Sequence, residues 1–446
     1  MTDRELNIDA IIDERPIGGL QWRVVVICFL LAVIDGFDAA SIGYVAPLLT
    51  EQFTIPPELM GQLLSAALVG LMLGALVGSA LADRLGRKPI ILASILVMGV
   101  GSLLTALSSD TSDLFIYRFI TGLGLGGVMP TINILTAEFA PERRRALLMT
   151  LMFTGLPLGT VVGGVASVGL LSVFGWEAVF LAGGILPLLM VPVVVFWLPE
   201  SPRLLVLRSP QDEGLAKTMR RLAPEVDVPA GSTFLTSQRP TPHSGIRALF
   251  AEGRTGLTLL LWIVFFANLL TIFAMMGWLP SVLEAAGFPL ERAILASALL
   301  AVGGVVGGLV MALAIDRYGA IRSMTFGFLA ASIIVSLIGY STGSLPLLLL
   351  VLFFAGFTSM GCQFGLNAVA SGSYDTNARA TGLGWALGVG RLGSILGPII
   401  VGGLLAMNLS ISTLFVFGAL PMLVAAGAVF AIGARGSKEQ AAQAQV

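Results

Sequence analysis

At 446 residues, 56% of them hydrophobic and 11% charged, the chain departs from soluble domains, in which about 25% of residues are charged. Its net charge of −1 says little about partners, and its two cysteines, Cys28 and Cys362, stand in no ligand pattern, which excludes a disulfide framework and a zinc site. Apolar stretches of about 20 residues recur, each able to cross a hydrocarbon core of roughly 30 Å as a helix, without the period-two alternation of a barrel, so the sequence describes an all-α membrane protein.

Twelve spans are read, at 22–48, 59–82, 89–107, 112–137, 146–173, 177–198, 256–283, 292–315, 322–341, 344–373, 380–407 and 411–434. The start, MTDRELNIDAIIDERPIGG, has mixed charge and no small-residue cleavage site after the first apolar run, so the first span is expected to stay. Most of the 25 basic residues fall in the loops after even-numbered spans or in the two tails. That bias predicts both termini in the cytoplasm.

Span 1 contains LAVIDGFDAASIGY, with Asp35 and Asp38 three apart on one helical face. They lie roughly 18–22 Å in from Arg23 at helical rise, near mid-membrane. A carboxylate there costs about 2.5–3.5 kcal/mol on insertion scales and is functional by default. Two such groups in a poorly hydrated place cannot both ionise easily, which suits one of them to taking up and releasing a proton. The alternative is a buried structural pair neutralised by arginine. The only histidine, His243, lies in the central linker, away from the spans.

After span 2 comes LADRLGRK, residues 81–88. Asp83 can bond a helix N-terminus or a basic neighbour, and Gly86 permits a tight turn. Asp83, Arg84, Gly86, Arg87 and Lys88 are therefore read as a gating latch, against the plainer reading of a solvated basic loop. Span 4 brings Arg118, the natural counter-charge for an aspartate, and the run TGLGLGG. That run lacks a preceding strand and a Lys-Ser or Lys-Thr pair, so its glycines read as sites of close helix approach, not as a phosphate cradle. Glu138, near Arg143, reads as a loop anchor.

Residues 199–255 are polar and contain seven prolines. They divide the chain into an N-terminal six-helix half, 1–198, a cytoplasmic linker, 199–255, and a C-terminal half, 256–446. LPESPRLLVLRSP predicts one short helix in the linker, with the rest irregular. After span 8, AIDRYGAIR repeats the Asp-Arg-x-Gly turn and adds Asp316 and Arg317 to the gating set. Paired repeats around a midplane site are the architecture of many secondary transporters.

In span 10, Gln363 and Asn367 share a face that either hydrogen-bonds a ligand or glues helices. Arg391 lies roughly 18 Å into span 11 from Arg379, on a face with Gly384, Leu387, Gly388 and Ser394. The small residues leave room for bidentate capture of a carboxylate, or else serve close packing while Arg391 pairs with an aspartate. Trp385, about 120° round the helix, can only wall a broad cavity. Phe37, Tyr44, Phe265, Phe266, Trp278 and Phe364 are the aromatics able to stack on a ring, although aromatics in spans more often belong to the core or interface.

The twelve spans, the six-plus-six division and DRLGRK together resemble the major facilitator superfamily. DGFD, RFITGLGLGGVMP, LPESPR and GLNAVASGSYDTNARATGLGWALGVGRLGSILGP are similar to stretches of its aromatic acid:proton symporters, Asp375 standing where proline is common. The resemblance implies that spans 1 and 4 line the cavity of the first half, and it implies an inner-membrane symporter of aromatic carboxylates such as benzoate or hydroxybenzoates. Asp35, Asp38 and Arg118 are then expected to couple protons. Phe37, Tyr44, Trp278, Gln363, Asn367, Trp385 and Arg391 are expected to bind substrate. The partners expected are the aromatic anion, protons and lipid, with no cofactor, metal or nucleic acid, and a functional monomer. A sugar, polyol or organic-cation porter is the alternative, followed by a non-transporting receptor; an enzyme is disfavoured by the lack of a nucleophile–base pair.

Overall fold

The computed structural model describes residues 5–209, 211, 213–222, 232–236, 246–251, 254–374 and 376–443, which leaves His243 and Asp375 outside the described residues. Twelve described segments are long and apolar enough to cross a membrane, one for each predicted span. In the first part of the chain they are α2 (Gly19–Phe53), α3 (Pro57–Leu85), α4 (Arg87–Ala106), α5 (Thr111–Phe139), α6 (Glu142–Phe153) with α7 (Gly155–Phe174), and α8 (Glu177–Trp197). Ahead of them stand β1 (Glu5–Asn7) and α1 (Ile8–Asp13). The later ones are α11 (Thr255–Ala285), α12 (Leu290–Tyr318), α13 (Ala320–Ser341), α14 (Leu345–Ser373), α15 (Thr376–Ala406) and α16 (Ile411–Gln443). The fifth span breaks at Thr154 because Pro157 has no N–H to offer the Phe153 carbonyl.

Between them the linker holds α9 (Pro202–Arg208), α10 (Glu213–Leu222) and β2 (Thr233–Leu235). The predicted short helix is α9, capped by the Ser201 hydroxyl accepting from the Leu204 amide at 3.0 Å. The expectation that the rest is irregular is corrected. β2 pairs in parallel with β1, and Ile8, Ile11, Val206, Leu215, Met219 and Phe234 form a small core with the flanking helices. Asp9 closes it, with Arg203 at 3.0 Å and the Thr236 hydroxyl donating to Oδ2 at 2.8 Å. Three-residue strands carry too little periodicity to be read in sequence; they persist because the N-terminal segment supplies the missing face.

The chain separates into two compact units. One comprises Met1–Ala39, Val69–Gly159 and Glu177–Pro240; the other comprises Ala40–Leu68, Thr160–Trp176 and Thr241–Val446. Helices α2, α3 and α7 each contribute to both.

Packing within each unit follows one scheme. In the first, α3 meets α5 where Gly70 and Gly74 approach the backbone at Phe119 and Leu123, α2 meets α7, and α4 meets α8. In the second, α12 meets α14 where Gly303 and Gly307 approach the backbone at Phe353 and Phe357, α11 meets α15, and α13 meets α16. Small residues four apart let helix backbones touch, the usual source of cohesion where lipid removes the hydrophobic drive between helices. Glycines of TGLGLGG take part: Gly124 abuts Met98 and Ser94 on α4, and Gly126 abuts Leu71 and Ala75 on α3.

Candidate functional site

In the first unit, the backbone contact of α2 with α7 sets the site. A Cβ at Gly36 would overlap the Leu156 carbonyl, one at Gly159 the Val33 carbonyl, and one at Gly155 would come within 2.6 Å of the Phe29 carbonyl. Only small residues permit that crossing. It leaves Asp38 turned to α5, where Arg118 grips it: Nη2 lies 3.0 Å from Oδ2 and Nη1 donates to Oδ1 at 3.2 Å. Both side chains are 0% exposed.

Around that pair, the Ser102 hydroxyl donates to the Phe180 carbonyl at 3.0 Å and lies 3.4 Å from Asp38 Oδ1. The Phe180 ring sits beneath the guanidinium, 5.3 Å from centroid to Cζ. Gly183 leaves the space the carboxylate needs, since a Cβ there would come within 2.9 Å of Ser102 Oγ and 3.4 Å of Asp38 Oδ1. Asp35, one turn back, is 3% exposed, and Phe37 is 5% exposed. The arrangement is a bidentate ion pair in a dry setting. Removing one partner of such a pair strands the other charge at a cost of about 3–5 kcal/mol.

In the second unit, Arg391 lies midway along α15, half-buried. Two faces of this helix differ. Gly390 and Gly393 press on Phe265, Phe266 and Leu269 of α11, whereas a Cβ at Gly384 or Gly388 would meet nothing within 4 Å. Gly384 and Gly388, on the arginine's own face, therefore border open space, whereas Ser394 on that face is buried. The Ser394 hydroxyl bonds back within its own helix, donating to the Arg391 carbonyl at 2.7 Å. Trp385 is exposed and stacks on Trp262 with centroids 5.9 Å apart.

Gln363 is half-buried and Asn367 exposed on α14, and the Gln363 amide oxygen accepts a 2.7 Å hydrogen bond from Nδ2 of Asn268 on α11. Two expected ring-binding aromatics have their polar atoms committed to backbone. Trp278 donates to the Pro398 carbonyl at 2.8 Å and Tyr44 to the Thr160 carbonyl at 2.9 Å. Phe265 is fully buried in the α11 core, while Phe364 is exposed.

The first Asp-Arg-x-Gly turn is a charge cluster. Arg87 is buried, 3.2 Å from Asp83 and 3.3 Å from Glu138. Glu200 accepts from the Arg87 amide at 2.8 Å and from the Lys88 amide at 3.3 Å, which places a carboxylate on the N-terminus of α4. Lys88 Nζ donates to the Val195 carbonyl at 2.7 Å, and the Arg84 carbonyl accepts from Arg208. In the second copy Asp316 and Arg317 are exposed.

Sequence reasoning missed Ser102, Phe180, Gly183, Asn268, and the partner of the loop-anchoring Glu138, which is Arg87, 51 residues away. A lone amide in FFANLLTIF was a signal for Asn268; the others carried none.

The Major Facilitator Superfamily model matches residues 28–398 and 293–445. The chain is 37% identical over 395 residues to the 4-hydroxybenzoate transporter PcaK of Pseudomonas putida, covering 88% of each. It is 38% identical over 432 residues to the gallate transporter of Pseudomonas putida, covering 97% of this chain and 96% of that one. In fold it matches the xylose transporter XylE from E. coli with a TM-score of 0.72 at 19% identity, covering 92% of this chain and 97% of that one.

Proposed function

This chain belongs to the Major Facilitator Superfamily and groups with its aromatic acid transporters, and from that premise we propose that it imports an aromatic carboxylate together with protons by alternating access. The observation that carries the proposal is the fully buried Asp38–Arg118 pair, bonded at 3.0 and 3.2 Å. An anion entering a negative interior is opposed by about 2.3 kcal/mol per 100 mV. At least one accompanying proton is needed to cancel that term.

Asp38 is the proton carrier in this reading, with Asp35 beside it and Arg118 as the charge released on protonation. Arg391, on its open face, takes the carboxylate; Gln363, Asn367 and Trp385 contribute further contacts to the substrate, and Phe37, Tyr44 and Trp278 shape the walls. The side carrying the basic turns is assigned to the cytoplasm. The halves 1–198 and 256–446 alternate access about linker 199–255, with Asp83, Arg84, Gly86, Arg87, Lys88, Asp316 and Arg317 as the gating set.

The test is uptake of benzoate and hydroxybenzoates into proteoliposomes with and without an inward proton gradient. Gradient-driven accumulation is expected for the native chain and is expected to be lost in both Asp38→Asn and Arg391→Ala. Accumulation by Asp38→Asn under a pH gradient refutes the proton assignment, and transport of a sugar or cation in place of every acid refutes the substrate class.

A further inference from the structure

The amide pair of α11 and α14 is only half satisfied. Asn268 is 0% exposed, within an apolar stretch near the middle of α11. Its Nδ2 donates to Gln363 Oε1 at 2.7 Å, yet its Oδ1, equally buried, has no hydrogen-bond partner among the described residues. A buried acceptor left so bears its desolvation penalty without a compensating bond. Two amides serving only as helix glue can exchange two hydrogen bonds, N–H to O in each direction, and satisfy each other. This pair makes one.

What remains is specific: an acceptor on Asn268 and N–H donors on Gln363, side by side. Interchanging O and N in both amides leaves the same complement, one acceptor and one donor group. A hydroxyl matches it, because a hydroxyl donates one hydrogen bond and accepts others. A carboxylate does not, since it only accepts when ionised. A bare ring edge offers neither.

The depth is also right. Gly390 and Gly393, which flank Arg391, pack on Phe265, Phe266 and Leu269, the residues that bracket Asn268. Arg391 and Asn268 therefore stand at one level of the same unit.

We propose that the Asn268–Gln363 pair reads a ring hydroxyl of the carried acid, with Gln363 as the contact and Asn268 as the second partner that fixes it; this rests on the aromatic acid reading above. Because Asn268 is closed off while Gln363 is half-exposed, the hydroxyl reaches Oδ1 only as α14 or the Gln363 side chain shifts. Hydroxyl recognition then belongs to occlusion, where binding energy of the correct substrate drives closure.

The experiment compares half-saturation concentrations of benzoate, 3-hydroxybenzoate and 4-hydroxybenzoate in proteoliposomes for the native chain, Asn268→Leu and Gln363→Leu. Interhelical hydrogen bonds in membranes reach about 1–2 kcal/mol, so for one hydroxylated isomer the value is expected to rise on the order of tenfold more than for benzoate in either variant. Where Asn268→Leu does not yield folded protein, Gln363→Leu carries the comparison alone. Equal weakening of all three acids makes the pair structural and overturns the proposal. A native chain that moves none of the acids overturns instead the substrate reading on which it rests.

Discussion

The two Asp-Arg-x-Gly turns have one backbone and two chemistries. Each joins its helices through a single glycine of positive φ, Gly86 at φ 122° and ψ 158° and Gly319 at φ 85° and ψ 152°. At the first, residue 87 is an arginine buried between Asp83 and Glu138, and the Glu200 carboxylate sits on the helix amides. At the second, the corresponding residue is Ala320, α14 has no acidic residue, and a Cβ at Gly319 would meet nothing within 4 Å. The turn is thus a geometric solution that any short helical hairpin can use. The charge cluster is an addition, and it needs acids from α5 and from the linker.

The largest expected effect breaks the first charge cluster at its centre. Arg87→Met leaves Glu138 buried without its counter-ion, a situation that costs about 3–5 kcal/mol, whereas Arg317→Met removes an exposed charge and stays within about 0.5 kcal/mol. Thermal unfolding of the two purified variants in detergent gives the contrast directly. Equal losses would mean that the turn's basic residues matter only as generic surface charge.

A smaller effect separates geometry from chemistry. Both glycines occupy a region of φ and ψ almost closed to other residues, so Gly319→Ala is expected to cost about 1–3 kcal/mol from backbone strain alone. Gly86→Ala bears the same strain and also drives a methyl toward the Glu200 carboxyl, whose Cδ would lie 3.2 Å away. Its unfolding midpoint should fall further. In the background of Glu200→Ala the gap should narrow to what the Pro89 ring, 3.2 Å from the new methyl, still costs, and an undiminished gap would place the difference elsewhere.

How much of this was legible follows from the range of each interaction. The twelve spans were readable because lipid demands about 20 apolar residues in a row, and the break in the fifth span is foreshadowed by Pro157. The repeat of the turn was visible because its glycine and aspartate are local. The partner of Arg87 was not visible: sequence offered Arg143 as the neighbour of Glu138, but helix packing delivers a guanidinium from 51 residues away. In the same way Asp38 and Arg118 announced themselves as charges in oil, while Ser102, Phe180 and Gly183, which shape the space around them, look like any other residues of an apolar helix. The amide of Asn268 was an available signal that went unread. The contribution of β1 was not available, since three residues gain meaning only from the strand they meet.

The smallest expected effect adds the missing basic residue to the second turn. Ala320→Arg restores the basic residue four positions after Asp316, the spacing at which Arg87 meets Asp83. The turn at Gly319 shares the backbone that brings Arg87 to Asp83 across Gly86, so an ion pair with Asp316 should form. Nothing buries it, because α14 supplies no acid to draw the guanidinium inward, and exposed pairs at this spacing contribute only about 0.3–0.5 kcal/mol. Salt near 1 M, with a screening length of about 3 Å, should erase that gain. Asp316→Asn should erase it too. A gain several times larger, insensitive to salt, would mean that the new arginine finds a buried acceptor, and the difference between the two turns would then reside in residue 320 alone and not in the acids that surround residue 87.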